Sequence, residues 1–229
     1  MASSFNVVLD TTAPGGAALA LNGNATATAS VDITAALSTT DSPTSGYQIK
    51  IWGDVDTAFN ASIQATEAAS AWITPASFPA NQAVRLATGD GTKTINAKIR
   101  DDVWNETTAL TKTITLDTTV PTVSITTGPD TTKVSTVAGK RTVNFTFTVG
   151  TEAITAWEVA VVANSTSIRG SGTVIGTTNG STGVSGGALA ANATQAVVLD
   201  ARDLQAASAG DGTKVVKTFV QDAAGSWSV

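Results

Sequence analysis

The feature that most constrains this chain is an internal repeat. The residues LDTT at 9–12 recur at 116–119, and GDGTK at 89–93 recurs at 210–214. The first pair is 107 residues apart (from Leu9 to Leu116), and the second pair is 121 apart (from Gly89 to Gly210). The order of the motifs is kept while the separation grows, so the second copy carries insertions, which surface loops tolerate best. The 229 residues are therefore predicted to form two units of about 100 residues each.

Within each copy, apolar residues alternate with polar ones. The pattern is clearest in RTVNFTFTV at 141–149, KTINAKIR at 93–100 and YQIKIW at 47–52. A period of two predicts strands with one buried face, and short strands separated by Gly, Asp, Asn and Pro turns predict a β-sandwich. Residues 61–72 fit either a helix or a loop with a short strand.

Composition excludes several classes of chemistry. The chain contains no Cys and no His, which removes disulfides, thiolate metal sites, the Ser-His-Asp triad and most zinc sites. Its net charge is −5 and it has no basic tract, so we expect no nucleic-acid binding. No apolar run is long enough to predict membrane insertion. The start of the chain lacks the features of a secretory signal, so we expect synthesis in the cytoplasm.

A family resemblance rests on LDTTVPTVSI at 116–125 and on the preceding GDGTKTINAKIRDDVWNETT at 89–108. Together they resemble the tandem Ig-like repeats (Big-type) of bacterial surface proteins and phage virion proteins. The resemblance implies an all-β fold of two tandem Ig-like β-sandwiches, which the repeat places at 11–116 and 117–229. The Gly/Ser-rich composition of residues 169–187 predicts a flexible loop in the second unit. Trp104 departs from the family pattern, because it stands where Gly is usual in the turn.

Residues 1–10 form an N-terminal arm that resembles a displaced strand. Phe5 to Leu9 align with Lys112 to Leu116, the predicted last strand of the first unit, although no unit precedes them. The second unit has no such strand after DAAGSWSV at 222–229. We hypothesise that residues 4–10 of one subunit complete the second unit of another, with Phe5, Val7 and Leu9 at the contact.

Two alternatives to strand exchange remain open. The arm is then the first strand of its own first unit, or the second unit needs fewer strands. Exchange between subunits predicts a head-to-tail homo-oligomer, which closes as a ring or extends as a filament.

Aspartates recur at the unit ends. In the resembling repeats, such residues near the junction can bind calcium, which implies a calcium site at Asp90, Asp101 and Asp117. Carboxylate oxygens suit this hard cation. The alternative is that these side chains stabilise turns by accepting backbone hydrogen bonds.

Three aromatic residues are further contact candidates. Trp104 and Trp227 fall in terminal turns, and exposed Trp is enriched at interfaces. Phe219 aligns with Lys98, an outward position, so either the register differs or a neighbour covers this residue. The loop at 169–187 is a candidate surface for a host receptor or glycan.

The resemblance and the composition together predict a non-enzymatic virion structural protein: a phage capsid decoration, fibre or tail-surface subunit. Its location would be the virion surface, and its partners would be other virion proteins and further copies of itself. The alternatives are a stalk or adhesin segment of a bacterial cell-surface protein, and a carbohydrate-binding module.

Overall fold

The computed structural model describes residues 3–229. The chain forms two compact units, Met1–Asp117 and Thr118–Val229, so the boundary lies one residue after the predicted one. Strands contain 39% of the residues and helix only 3%, which confirms the predicted all-β fold. None of the helical structure among the described residues has the length and apolarity needed to cross a membrane.

Unit 1 contains two sheets around one core. The first sheet has the order β1-β3-β5, from β1 (Ala18–Leu21), β3 (Asp32–Ser38) and β5 (Ala80–Arg85). The second has the order β2-β7-β6-β4, from β2 (Ala27–Thr28), β4 (Gln48–Gly53), β6 (Gly91–Arg100) and β7 (Leu110–Leu116). Alternate residues of both sheets enter a single apolar cluster, as the period of two predicts.

Unit 2 also contains two sheets. The first has the order β13-β9-β8, from β8 (Val123–Thr127), β9 (Thr142–Val149) and β13 (Thr194–Asp200). In the second, β10 (Ala156–Val162) pairs with β11 (Thr173–Val174), β12 (Ser185–Gly186) and β14 (Val215–Gln221). A short helix, α1 (Ala201–Ala207), follows β13. Phe147 and Trp157 meet edge to face at 5.2 Å between ring centroids in the core.

Five strands of unit 1 have counterparts in unit 2. Strands β8, β9 and β13 take the places of β1, β3 and β5, and β10 and β14 take the places of β4 and β6. Within residues 3–229, unit 2 has no counterpart of β7. It also lacks a counterpart of β2, whose partner in unit 1 is β7. Among the described strands, β14 is thus the outermost strand of this sheet on that side.

The units remain equivalent up to the point where β7 would begin. In unit 1, the Thr107 amide donates to the Ile99 carbonyl at 2.9 Å, and the Ile99 amide donates to Thr107 Oγ1 at 3.1 Å. In unit 2, Ser228 and Val220 make the same two bonds, at 2.9 and 3.1 Å. The chain thus reverses in the same way after β6 and after β14.

The Gly/Ser-rich segment 169–187 differs from the flexible loop that composition predicts. It contains β11 and β12, which pair with β10, and it buries Ile175, Ser181 and Val184. Gly186 lies against the Trp157 ring, where an added Cβ would come within 2.7 Å of the indole nitrogen. Glycine here permits close packing rather than mobility.

Two further predictions are decided by the structure. Residues 61–72 form turns and one isolated bridge, so the helical alternative is wrong. Phe219 faces Glu158 as Lys98 faces Lys50, so the register of the two strand pairs is the same. Its side chain is only 1% exposed, because it is buried with Ala160 and Val162 against Trp227. Phe219 is covered by its own unit and is not a surface contact.

Candidate assembly surfaces

The N-terminal arm is extended and exposed. Residues 3–13 form no strand, and the arm's large apolar side chains are exposed by 77–91%: Phe5, Val7, Val8 and Leu9. Attachment to unit 1 begins at Asp10, whose carbonyl accepts a bond from Asn105 Nδ2 at 3.3 Å. The first strand of unit 1 is β1, so the arm does not serve as that strand.

The matching sequence in unit 1 is buried. Ile114 and Leu116 of β7, which align with Val7 and Leu9, are 1% and 0% exposed. Their burial follows from pairing with β6, which turns alternate side chains of β7 into the core. The arm therefore has the alternating apolar and polar residues of a strand with one buried face. Its described residues, however, are not paired in any sheet.

The outer edge of β14 has no paired strand within residues 3–229. Strand β6 pairs with β4 on one side and with β7 on the other, whereas β14 pairs with β10 alone among the described strands. The segment 91–97 pairs with β7, and its counterpart is 212–218. An unpaired edge presents backbone N–H and C=O groups that another strand can use.

The missing strand also leaves apolar side chains exposed. Leu21 of β1, opposite Ala35, is 2% exposed because β1 packs against β7 as well as β3. Ile125 of β8, opposite Phe147, takes the same place in unit 2 and is 50% exposed. Val216 of β14 is likewise only half-buried. Unit 2 thus shows an apolar strip beside the open edge.

One buried hydroxyl lies on the same edge strand. Thr218 is 5% exposed, and its Oγ1 has no hydrogen-bond partner among the described residues. It occupies the position that Ala97 has in β6. A buried hydroxyl without a partner is unfavourable, which makes this position a natural place for an incoming polar group.

The predicted calcium ligands are not brought together. Asp101 is buried, and its Oδ1 accepts the amides of Val103 and Asn105, while its Oδ2 accepts Asn105 Nδ2 at 2.8 Å. Asp90 lies in an exposed bend before β6, and the amide of Asp117 donates to the Thr28 carbonyl. Over residues 3–229, these three carboxylates do not form a group close enough to share one ion. Asp101 stabilises its turn, and calcium binding stays a prediction.

The equivalent carboxylate of unit 2 is less well satisfied. Asp222 is 1% exposed, and its Oδ1 accepts the Ser226 amide at 2.8 Å. Its Oδ2 has no hydrogen-bond partner among the described residues. The difference comes from position 226, where Ser replaces the Asn105 that donates to Asp101 in unit 1. Aligning the sequences of the two turns shows that Ser replaces Asn. The replacement affects stability because the Asp222 carboxylate is buried.

Trp104 stands in a left-handed backbone conformation with φ of 71°. Gly225 has the same place in unit 2, with φ of 93°, so the turn keeps the geometry that glycine usually provides. The Trp104 ring is 68% exposed and lies 4.7 Å from the Arg100 guanidinium, which also covers Trp72 at 4.3 Å. A bulky residue in this conformation is strained. Trp104 is therefore a surface aromatic that its own core does not require.

Trp227 has a different environment. Its ring packs against the Phe219 cluster and lies 3.8 Å from the Arg169 guanidinium, which is also paired with Glu158 at 3.0 Å. These contacts belong to unit 2 itself. Trp227 covers the outer face of β14 and is only partly available as a contact.

A cleft of unit 1 is lined by Asp10, Asp41, Asp102 and Tyr47, among others. Asp41 accepts hydrogen bonds from the Gly15 amide at 3.0 Å and from the Tyr47 hydroxyl at 3.2 Å. These bonds fix the segment before β1 to the rest of unit 1. Burial, the bond to Asp41 and the neighbouring carboxylates raise the pKa of Tyr47 to about 12. The phenol thus remains a hydrogen-bond donor at neutral pH, with a structural role.

Helix α1 is hydrogen-bonded to the Gly/Ser-rich segment 169–187 of unit 2. Asp200 caps the helix through the Arg202 amide and pairs with the Arg202 guanidinium at 2.8 Å. Asp203 accepts the amides of Asn179 and Ser181, at 2.9 and 3.0 Å. Burial raises the pKa of Asp203, but these hydrogen bonds lower it more, and the net pKa is reduced. Sequence analysis missed this helix, although Asp200 before ARDLQAA is a recognisable cap signal.

Comparison with protein-family models finds none that matches this chain, and comparison with curated proteins finds no match either. The most informative comparison for the candidate surfaces is thus between the two units of the chain. Unit 1 shows how β7 closes its sheet, and unit 2 shows the same sheet without that strand.

Replacing Ser226 with Asn should supply the donor that Asp222 Oδ2 lacks. We expect unit 2 to gain about 1–2 kcal/mol in free energy of unfolding, since a buried unsatisfied acceptor costs about that much. Urea unfolding followed by circular dichroism measures the gain. The matched variant Asn105→Ser should destabilise unit 1 by a similar amount. An unchanged transition of unit 2 in Ser226→Asn would show that Oδ2 is already satisfied.

Replacing Trp104 with Gly should change the stability of unit 1 by less than about 1 kcal/mol. Relief of the left-handed strain, about 1–2 kcal/mol, is offset by the added chain entropy and the lost Arg100 contact. Urea unfolding again measures the effect. A loss above 2 kcal/mol would contradict the interpretation of Trp104 as a free surface residue.

Acid should weaken unit 2 between pH 4 and pH 2. The Arg202 hydrogen bond, opposed by burial, lowers the pKa of Asp200 from 3.8 to about 2. A carboxylate with a lowered pKa stabilises the fold above its unfolded pKa, and this contribution is lost as the pH falls through the folded value. Thermal unfolding across this window should show less pH dependence in Asp200→Asn, which keeps a helix cap. If the unmodified protein and Asp200→Asn lost the same stability on acidification, titration of Asp200 would not be the cause of that loss.

Proposed function

We propose that this protein is a non-enzymatic structural subunit of a multisubunit assembly, built from two tandem Ig-like β-sandwiches. The motifs at 89–108 and 116–125 support the Ig-like assignment by resemblance, and the paired sheets of each unit are compatible with it. Among such assemblies, the surface of a phage virion fits best, as a capsid decoration, fibre or tail subunit. Its partners are then other virion proteins and further copies of the chain.

The observation that carries this proposal is the exposed arm. Four large apolar side chains between residues 5 and 9 lie at least 77% exposed, while one edge of β14 is unpaired within the described part of the chain. Soluble proteins normally cover apolar segments and sheet edges, because both promote association. The exposed arm and the unpaired edge are therefore expected in a subunit that binds its partners through them.

Trp104 favours a second candidate, a carbohydrate-binding role. Its ring is 68% exposed and strained, and strained residues often mark functional positions. An exposed Trp can stack on a sugar ring or enter a protein interface. In a virion protein or an adhesin segment, this role would recognise a host-surface glycan or receptor. Loss of glycan affinity in Trp104→Gly, with folding intact, would support it.

The proposal is tested by measuring the mass of the protein in solution. Sedimentation of the full chain should show oligomers, with and without a chelator, and removal of residues 2–9 should leave monomers. A matched control replaces Thr11 and Thr12 with Ala and keeps the apolar arm. A full chain that stays monomeric at all concentrations would contradict the assembly role. Antibody labelling of lysis-released particles against intact cells separates a virion protein from a cell-surface adhesin.

A further inference from the structure

Resting on the assembly role above, we propose that the partner of β14 is the arm of a second copy of this chain. Residues 3–9 of that copy add as an antiparallel strand along residues 212–218, that is, the three residues before β14 and the first half of β14 itself. The strand takes the position that β7 has in unit 1. The register places Leu9 opposite Gly212, Val7 opposite Lys214 and Ser3 opposite Thr218.

The register follows from the pairing inside unit 1. There, Gly91 lies opposite Leu116, Lys93 opposite Ile114 and Ala97 opposite Leu110. The repeat relates β6 to β14 by 121 residues and β7 to the arm by 107 residues. Applying both separations to each pair gives the three pairs above. Because side chains alternate faces along a strand, only even shifts of this register keep the apolar face inward.

The arm suits the apolar strip of unit 2. In this register, Val7 and Leu9 face inward, beside the exposed Ile125 and the half-buried Val216, as Ile114 and Leu116 do in unit 1. The arm carries no charged side chain between residues 3 and 9, so its insertion buries no charge.

A matched exchange of polarity supports the same register. In unit 1, the pair Ala97 and Leu110 is apolar, and both side chains are associated with the core. In the proposed pair, both positions carry hydroxyls, Thr218 and Ser3. Directly opposed residues lie close enough for a Thr–Ser hydrogen bond across the strands. Ser3 would thus supply a partner for the buried Thr218 Oγ1, which has none within the described part of the chain.

The occupant is a second copy because the arm offers exposed apolar side chains, and its residues 3–9 belong to no strand in the described part of the chain. In unit 1 the equivalent edge is filled by β7, and the arm leaves that unit at Asp10, held by Asn105. Each copy therefore offers one strand and one acceptor edge. Contacts of this head-to-tail kind form rings when the rotation closes and filaments when it does not.

Disulfide trapping tests the register, because the chain has no natural Cys. Asn6→Cys combined with Val215→Cys places two thiols directly opposite on the outer face, as Thr113 and Thr94 are in unit 1. Under mild oxidation we expect covalent dimers and higher multimers. The control pair, Asn6→Cys with Thr213→Cys, is out of register and should give at least fivefold less. Equal yields from both pairs, or a link within one chain, would overturn the proposal.

Moving the arm tests the acceptor edge separately. Residues 1–9 are removed from the front, Met is placed before Asp10, and residues 2–10 are added after Val229. Ser3 then follows Ser228 by three residues, as Leu110 follows Thr107 in unit 1. We expect a monomer with a higher melting temperature than the arm-deleted chain. A rearranged chain that still oligomerises, or that gains no stability, would overturn the proposal.

A peptide keeps the test independent of how the rearranged chain folds. Synthetic residues 2–11 should raise the melting temperature of the arm-deleted protein, and a peptide with Val7 and Leu9 replaced by Asp should not. Failure of both peptides to bind would overturn the inference. If arm deletion abolishes oligomers while the peptide, the matched Cys pair and the rearranged chain all fail, assembly stands and β14 is not its acceptor. A monomeric full chain instead contradicts the assembly role itself.

Discussion

The pairing of β7 with β6 is the interaction on which the closure of a unit depends. It supplies the last set of backbone hydrogen bonds to the second sheet, and it gives β2 its partner. It also turns Ile114 and Leu116 into the core and lets Leu21 pack at 2% exposure. Unit 2 shows the opposite of each effect among its described residues. The edge of β14 is unpaired, no strand takes the place of β2, and Ile125 is 50% exposed.

Unit 2 has a folded core among its described residues, and aromatic side chains contribute to it. Phe145, Phe147 and Trp157 replace aliphatic residues in the core and bury more apolar surface per side chain. Strands β11 and β12 both pair with β10, and Phe219 and Trp227 cover the outer face of the sheet. Within the described residues, the unpaired edge of β14 thus lies beside a packed core, and such an edge can accept an added strand.

The turns show how the same backbone is kept with different side chains. Gly225 adopts the left-handed conformation at no steric cost, whereas Trp104 adopts it under strain. Asn105 satisfies both carboxylate oxygens of Asp101 in combination with backbone amides, whereas in unit 2, with Ser226, one oxygen of Asp222 accepts no hydrogen bond from any described residue. Such departures from an otherwise repeated design point to the places where the two units differ in role.

The sequence by itself determined the all-β fold, because alternation such as that in RTVNFTFTV is a local property of strands. It also determined the repeat and the match between the arm and β7, since both are comparisons of one segment with another. Only the tertiary structure decided that the Gly/Ser-rich segment is anchored, that Phe219 is covered and that Asp222 Oδ2 has no hydrogen-bond partner between residues 3 and 229. These features arise from residues far apart in the chain, and their burial depends on how whole sheets pack.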